Sequence, residues 1–351
     1  MMNDNNRIYL IGEIGQNHNG SVDVAKLIVD GAAREIEEHL FGLKLPGMDA
    51  VKLTKRDLKY ELSQSQMDRV YDTPNSFGRT YGEHREFLEL SDEEHFEVYK
   101  YAKEKGLDFV ETLCAPSCLS MLKFFTPDYL KVASRDLTNI PLLEALAETG
   151  IDIIVSTGMA GKKELDDAVD TITKYHDKLS ILHCVSQYPT HPKNVNLATI
   201  NYLKENYPKF TIGYSDHTIG ISTPVAACAM GAKIIEKHIT LDRRMKGTDQ
   251  AGSLGPDGVN RMVRDIRILE MSIGEDDIFI ANGVEVAKEK LERSIAANKN
   301  LNVGHIITED DIHLLSPGDG YKWSEKDSIL GKAITKDVKK DELIYSDNIK
   351  I

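Results

Sequence analysis

Short apolar runs that turn polar at their C-terminal ends recur eight times along this chain. They are Tyr9-Leu10-Ile11-Gly12-Glu13-Ile14, Asp49 to Thr54, Asp108 to Leu113, Tyr129 to Ser134, Ile151 to Gly158, Leu179 to Val185, Thr211 to His217 and Ile234 to Thr240. Each has strand length, and between most of them lies a stretch with helical spacing. Ser21 is placed to cap the first helix, with Val24, Leu27, Ile28 and Gly31 toward one face. Further helices are predicted over Asp92 to Lys105, Pro141 to Thr149, Lys162 to Tyr175, Asn196 to Asn206, Ser222 to Met230 and Asp257 to Met271. The alternation predicts a closed (β/α)8 TIM barrel. An open doubly wound sheet is disfavoured, because Gly12, Gly15 and Gly20 do not match the dinucleotide-binding glycine spacing.

Two stretches break the rhythm. Nearly forty residues separate Thr54 from Asp92 without a clear periodic pattern, and loops of that length are usually functional. Leaving the end of the second strand, this one is expected to act as a substrate-side flap. Past the barrel, a polar segment over 281–293 reads as a linker, dividing a catalytic domain at 1–280 from a small β-rich domain at 294–351. Within the latter, Ile306 to Ile312 and Leu343 to Ile349 resemble each other, a faint internal repeat. So small a domain buries little core and is expected to lean on the barrel or on a second subunit.

Composition narrows the function. Of 351 residues, 43 are Lys or Arg and 56 are Asp or Glu, a net charge of -13. That balance argues against nucleic-acid binding, which normally wants a basic stripe. No apolar run approaches the length of a signal peptide or membrane span, so no membrane association and a cytoplasmic location are expected. The cysteines Cys114, Cys118, Cys184 and Cys228 match no common zinc spacing and are expected to be buried thiols.

In a TIM barrel the C-terminal strand ends converge on one active rim. Here they carry Glu13, Lys52, Thr54, Glu111, Thr112, Lys131, Ser134, Asp136, Ser156, Thr157, Tyr188, Asp216, His217, Glu236 and His238. His217 and His238 end consecutive strands, and two neutral imidazoles at one rim suit Mn²⁺, Zn²⁺ or Fe²⁺. Lysines beside hydroxyls make a cradle for phosphate or carboxylate. Glu13, Asp136 and Glu236 are candidate proton carriers. Strand periodicity puts Lys52 with Thr54 and Glu236 with His238 on common sides, but separates Lys131 from Ser134. An anionic substrate and a metal-activated carbonyl, in a condensation or a decarboxylation, follow from these residues.

These motifs resemble the sialic acid synthase family, from Glu13-Ile14-Gly15-Gln16-Asn17-His18-Asn19-Gly20 through Lys131-Val132-Ala133-Ser134 and Ser156-Thr157-Gly158-Met159. The match continues through His183-Cys184, Tyr188-Pro189-Thr190, Ser215-Asp216-His217-Thr218 and Glu236-Lys237-His238, with an antifreeze-like (SAF, β-clip) domain after the barrel. The resemblance implies condensation of phosphoenolpyruvate with N-acetylmannosamine or a related acetamido aldose, giving a nine-carbon 2-keto-3-deoxy acid and phosphate by C–O cleavage. It implies that Lys52, Thr112, Lys131, Ser134 and Ser156 hold phosphoenolpyruvate, that Tyr188 and Asp249 lie near the sugar, and that His217 and His238 bind a divalent metal, Mn²⁺ ahead of Mg²⁺ or Co²⁺. A domain-swapped homodimer is implied as well. The chain departs from the family at Asp136 and Thr54, where glutamate and glutamine are usual. It also lacks an arginine before the turn Ser316-Pro317-Gly318. The long loop, with Asn75, Arg79, Tyr81 and Arg85, is the expected source of replacement contacts. A phosphorylated or unacetylated hexose acceptor is therefore an alternative. The presence of Lys131, His217 and His238 weighs against a non-catalytic sugar-acid binding or scaffold barrel.

Overall fold

The computed structural model describes residues 7–350. Chain contacts divide it into two compact units, Met1–Gly274 and Glu275–Ile351. The first holds eight parallel strands: β1 (Tyr9–Gly15), β2 (Ala50–Lys55), β3 (Asp108–Leu113), β4 (Tyr129–Val132), β5 (Ile153–Ser156), β6 (Leu179–Cys184), β7 (Thr211–Asp216) and β8 (Ile234–His238). They pair in sequence order, and β1 closes the barrel by pairing with both β2 and β8. The expected TIM barrel is what forms.

Barrel closure sorts the strand residues by parity. Ile11, Ala50, Val110, Ile154, Leu182 and Ile234, with Tyr9 and Tyr129, fill the interior, while alternate residues such as Leu10, Val51, Phe109 and Leu130 pack against the helices. Two residues further along each strand, the inward positions become Glu13, Lys52, Thr112, Lys131, Ser156, Cys184, Ser215 and Glu236. The apolar plug therefore carries a complete polar layer on top of it.

The helices follow the apolar periodicity closely. Helix α1 (Val22–Ala33) is capped by Ser21, whose Oγ accepts from Val24 N. Between β3 and β4, where no helix was predicted, the chain makes 3₁₀ turns over Pro116–Lys123. The connection after β2 differs from the structureless loop expected. It contains two short helical turns, Leu58–Glu61 and Gln64–Met67, and an eight-residue helix, α2 (Tyr81–Leu88). Thr80 and Glu83 form a reciprocal capping box at its start. The buried face of α2 is Gly82, His84 and Leu88, so apolar periodicity could not announce it. Phe77 stacks on Phe87 at 4.5 Å between ring centroids and on His84 at 5.9 Å, which anchors the flap to its own helix.

At the barrel's other end, Arg267 is fully buried on the long helix Pro256–Ser272. It donates to Ile8 O at 2.8 Å and Gly47 O at 3.0 Å, and pairs with Asp49 and Glu270 at 2.7 Å each. One guanidinium thus ties the last helix to the entrances of β1 and β2. No described helix is long and apolar enough to cross a membrane. All four cysteines are free and buried.

The second unit has its own core of Ile295, Ala297, Leu301, Ile307, Ile312, Ile329, Ile334, Val338, Ile344 and Ile349. Strands Ser294–Ala297 and Ile312–Leu315 pair antiparallel. The faint repeat has a structural counterpart. Glu309–Asp311 and Ser346–Asn348 are both single 3₁₀ turns, closed by Asp311 accepting from Thr308 N and Asn348 accepting from Tyr345 N. The stretch read as a linker contains a short helix, Glu285–Leu291. Gly318 N and Ser316 Oγ donate to the carbonyls of its residues Glu289 and Leu291.

Candidate active site

The polar layer opens into a cavity of about 490 Å³. Of the residues singled out from sequence, Glu13, Lys52, Thr54, Arg85, Thr112, Lys131, Ser134, Ser156, Tyr188, His217, Glu236, His238 and Asp249 line it. Glu111, Thr157 and Asp216 do not. Nor do four others. Asn75 and Arg79 are exposed on the flap. Tyr81 stands behind Arg85, accepting from its Nε at 2.8 Å. Asp136 is buried beside Arg135, whose Nε lies 3.3 Å away. Residues that sequence reasoning did not place here also join the wall: Gln16, Arg56, Arg135, Cys184, Ser186, Ser215 and Thr248. Inward parity beside Ser156 and Glu236 marks Cys184 and Ser215. Nothing in the local pattern marks the two arginines.

The hydroxyls are arranged to donate inward. Lys52 Nζ donates to Thr112 Oγ1 at 3.1 Å, Lys131 Nζ to Ser156 Oγ at 2.6 Å, and Gly158 N to Ser134 Oγ at 3.0 Å. Each oxygen is engaged as an acceptor, which leaves its own proton to give, to a ligand oxygen or, from Ser134, to the adjacent Cys184 sulfur. Ser134 shares no strand face with Lys131. It reaches the cavity because β4 ends at Val132 and the chain turns through Ser134–Asp136 in a 3₁₀ conformation. Gly158 makes that approach possible, since a Cβ there would lie 2.8 Å from Ser134 Oγ and 2.4 Å from Ser186 Oγ.

Two lysines and two carboxylates form the floor. Lys52 pairs with Glu13 and lies 3.9 Å from Glu236, and Ser215 donates to Glu236 Oε1 at 2.9 Å. Burial, the largest influence, raises the Glu13 carboxyl above its usual range despite Lys52 and His238. Burial acts on Glu236 in the same direction, but Lys131, Lys52 and the Ser215 hydroxyl outweigh it and hold that carboxyl low. Two neighbouring carboxyls are thereby pushed apart, the usual arrangement for separate proton-handling roles. Burial pulls Lys131 down, partly offset by Glu236. For Lys52 the pull of burial is outweighed by Glu13 and Glu236, and it stays charged.

His217 and His238 face each other, ring centroids 5.4 Å apart, with Tyr188 4.1 Å from His217. His217 Nδ1 lies 3.1 Å from Val185 O. A carbonyl only accepts, so Nδ1 carries the proton and Nε2 keeps its lone pair. Burial, then the neighbouring His238, pushes His217 down to about 4, so the ring is neutral. His238 Nδ1 is buried without a hydrogen-bond partner. The free lone pair of His217 and the unpartnered ring nitrogen of His238 fit a divalent ion whose other positions are filled by water or substrate. No group of three or more His, Cys, Asp or Glu side chains among the described residues makes a closed metal cage.

The NeuB family model matches residues 44–277, and the SAF domain model residues 292–350. The chain is similar to N-acetylneuraminate-9-phosphate synthase of Homo sapiens, 32% identical over 340 residues that cover 97% of this chain and 92% of that protein. It is also similar to N,N'-diacetyllegionaminic acid synthase of Legionella pneumophila, 32% identical over 93% of this chain and 90% of that one. A crystal structure of N-acetylneuraminic acid (sialic acid) synthetase from Leptospira borgpetersenii, in complex with citrate, superposes with a TM-score of 0.67. That protein is 30% identical, over 81% of this chain and 90% of its own. With its barrel and its small unit each matched by a family model, and relatives aligned along nearly its whole length, the chain belongs to the NeuB family, phosphoenolpyruvate-dependent synthases that form a carbon–carbon bond in making sialic-acid-type sugar acids.

Proposed function

We propose that this enzyme condenses phosphoenolpyruvate with N-acetylmannosamine or a related acetamido aldose, releasing phosphate and a nine-carbon 2-keto-3-deoxy acid. The observation that carries the reading is the set of three inward O–H donors, on Thr112, Ser134 and Ser156, interleaved with Lys52 and Lys131. Such a set matches a ligand bearing two anionic groups close together, as phosphoenolpyruvate does. The acceptor aldehyde then lies toward His217, His238 and Tyr188. A divalent ion, Mn²⁺ ahead of Mg²⁺ or Co²⁺, would be held by His217 and His238 and would polarise the aldehyde carbonyl.

In this scheme C3 of phosphoenolpyruvate bonds to the aldehyde carbon, water adds at C2, and the C2–O bond to phosphate breaks. Glu13 and Glu236 are the carboxyls positioned for the protons, since both face the cavity while Asp136 lies behind Arg135. Glu13, raised by burial, suits the protonated role, and Glu236 suits the ionised one. The chain is further proposed to work as a homodimer. Ile278, Phe279, Ile280 and Val286 are largely exposed apolar side chains near the start of the second unit, as expected if a second subunit covers them.

Phosphate release from phosphoenolpyruvate with Mn²⁺, across N-acetylmannosamine, its 6-phosphate, mannose and a 2,4-diacetamido-2,4,6-trideoxyhexose, tests the reading. Release with an acetamido sugar is expected, abolished by chelator and by His217→Ala in a chain that keeps its circular dichroism. No release with any acceptor from folded, metal-loaded protein would overturn it.

A further inference from the structure

The cavity wall carries three arginines, and they differ in one respect. Arg56 is engaged by the carboxylates of Glu61 and Glu89, and Arg135 by those of Glu61 and Asp136. Arg85 has no carboxylate within ion-pair distance among the described residues. Its Nε donates to Tyr81 Oη at 2.8 Å and its Nη1 to Gln16 Oε1 at 2.5 Å, and the guanidinium lies 4.9 Å from the centre of the Tyr81 ring. A phenol oxygen, an amide oxygen and a ring face aim the fork without neutralising it. Half-buried in a polar cavity, the group keeps a full positive charge and unused N–H donors.

Its side-chain partners, Tyr81 and Gln16, are not residues of the phosphoenolpyruvate cradle. Thr112, Lys131, Ser134 and Ser156 sit at the ends of β3, β4 and β5, with Lys52 beside them on β2. Gln16, which holds Arg85, follows β1, and β1 lies between β8, the strand of His238, and β2, the strand of Lys52. The flap helix α2 therefore brings its cation to the rim above β1, beside the strand of His238 as well as that of Lys52. Building on the condensation reading above, we infer that Arg85 is a specificity-determining residue for the acceptor, and that the aldose it selects carries an anionic substituent, a phosphate monoester, away from its aldehyde. A planar guanidinium held by two side chains is suited to a two-pronged contact with phosphate oxygens. The two anionic groups of phosphoenolpyruvate are already matched by the lysines and hydroxyls of the cradle.

The test uses the full-length, Mn²⁺-loaded protein with N-acetylmannosamine and its 6-phosphate, in steady-state phosphate release and in calorimetric binding in the presence of phosphoenolpyruvate. Wild type is expected to favour the phosphorylated sugar in kcat/KM. Arg85→Met should reduce that preference by roughly ten- to a hundred-fold, the worth of one charge-assisted contact, with the KM for phosphoenolpyruvate held. Arg85→Lys, which keeps the charge but loses the fork, should restore part of the preference and serves if the methionine variant folds poorly. Equal losses with both sugars, a raised KM for phosphoenolpyruvate, or a wild type that favours the unphosphorylated sugar would each overturn the assignment. Condensation with an unphosphorylated sugar alone would leave the synthase reading intact and remove only this inference. If no sugar turned over, the calorimetric comparison of wild type and Arg85→Met would still decide whether Arg85 binds the sugar phosphate.

Discussion

Replacing Arg267 by methionine separates the barrel's stability from its chemistry. Arg267 is fully buried at the end of the barrel opposite the cavity, and its Nη1 sits 2.7 Å from Glu270 Oε1. Methionine fills much of the volume but strands Glu270, which keeps only the Ile8 N–H at 2.7 Å; its Oε2 already lacks a hydrogen-bond partner. Asp49 is less affected, because Arg7 still pairs with it and Leu10 N donates to it at 2.8 Å. Removing one partner of a buried pair costs about 3–5 kcal/mol. The stranded carboxylate can limit its share of that cost by taking up a proton. At pH 7, protonating a glutamate of unfolded pKa about 4.3 costs about 3.7 kcal/mol, at about 1.36 kcal/mol per pH unit. At pH 5 the same step costs about 1 kcal/mol. The sign follows, because the folded variant holds a proton that the unfolded chain has released, so its stability falls as pH rises from about 5 to 7. Urea unfolding of the full chain, wild type against Arg267→Met, should show the gap widening by about 2–3 kcal/mol over that interval. Adding Glu270→Gln should remove the pH dependence and recover most of the loss. A gap equal at pH 5 and pH 7, or a double variant no more stable than the single one, would refute the reasoning.

Three further outcomes follow from the geometry. Lys131→Met removes the donor to Ser156 and one cation of the phosphoenolpyruvate cradle, and should lower kcat/KM for phosphoenolpyruvate by roughly a hundred-fold or more, read by phosphate release. Gly158→Ala places a Cβ against Ser134 Oγ and Ser186 Oγ; circular dichroism should be retained while the KM for phosphoenolpyruvate rises about ten-fold, the worth of one displaced hydroxyl contact. In the small unit, burial raises Asp311 but hydrogen bonds from Lys299, His305 and Thr308 outweigh it and hold the carboxyl well below its usual range. Its stabilisation is present above the unfolded value of about 3.9 and is lost as pH falls toward the depressed one, so Asp311→Asn should destabilise this unit at pH 7 and flatten its acid-unfolding limb, as followed by hydrogen exchange in the full chain.

Much of this protein is legible without coordinates. Eight short apolar runs, most of them turning polar toward their C-terminal ends and alternating with helical spacing, point to a parallel barrel with a charged rim. Inward parity is legible too, since Lys52 and Glu236 inherit their direction from Ala50 and Ile234 two positions before them, and His238 inherits its own from Glu236. What a linear pattern cannot carry is contact between distant segments. The flap helix α2 was hidden because its buried face is a glycine, a histidine and a leucine rather than an aliphatic stripe. Only the tertiary structure decided that Arg85 reaches the cavity while Arg79 does not, and that Asp136 turns back to Arg135 while Glu13 faces inward. It alone decided which carboxyl loses its proton more readily, because that depends on how many lysines the folded barrel brings within a few ångströms of each one.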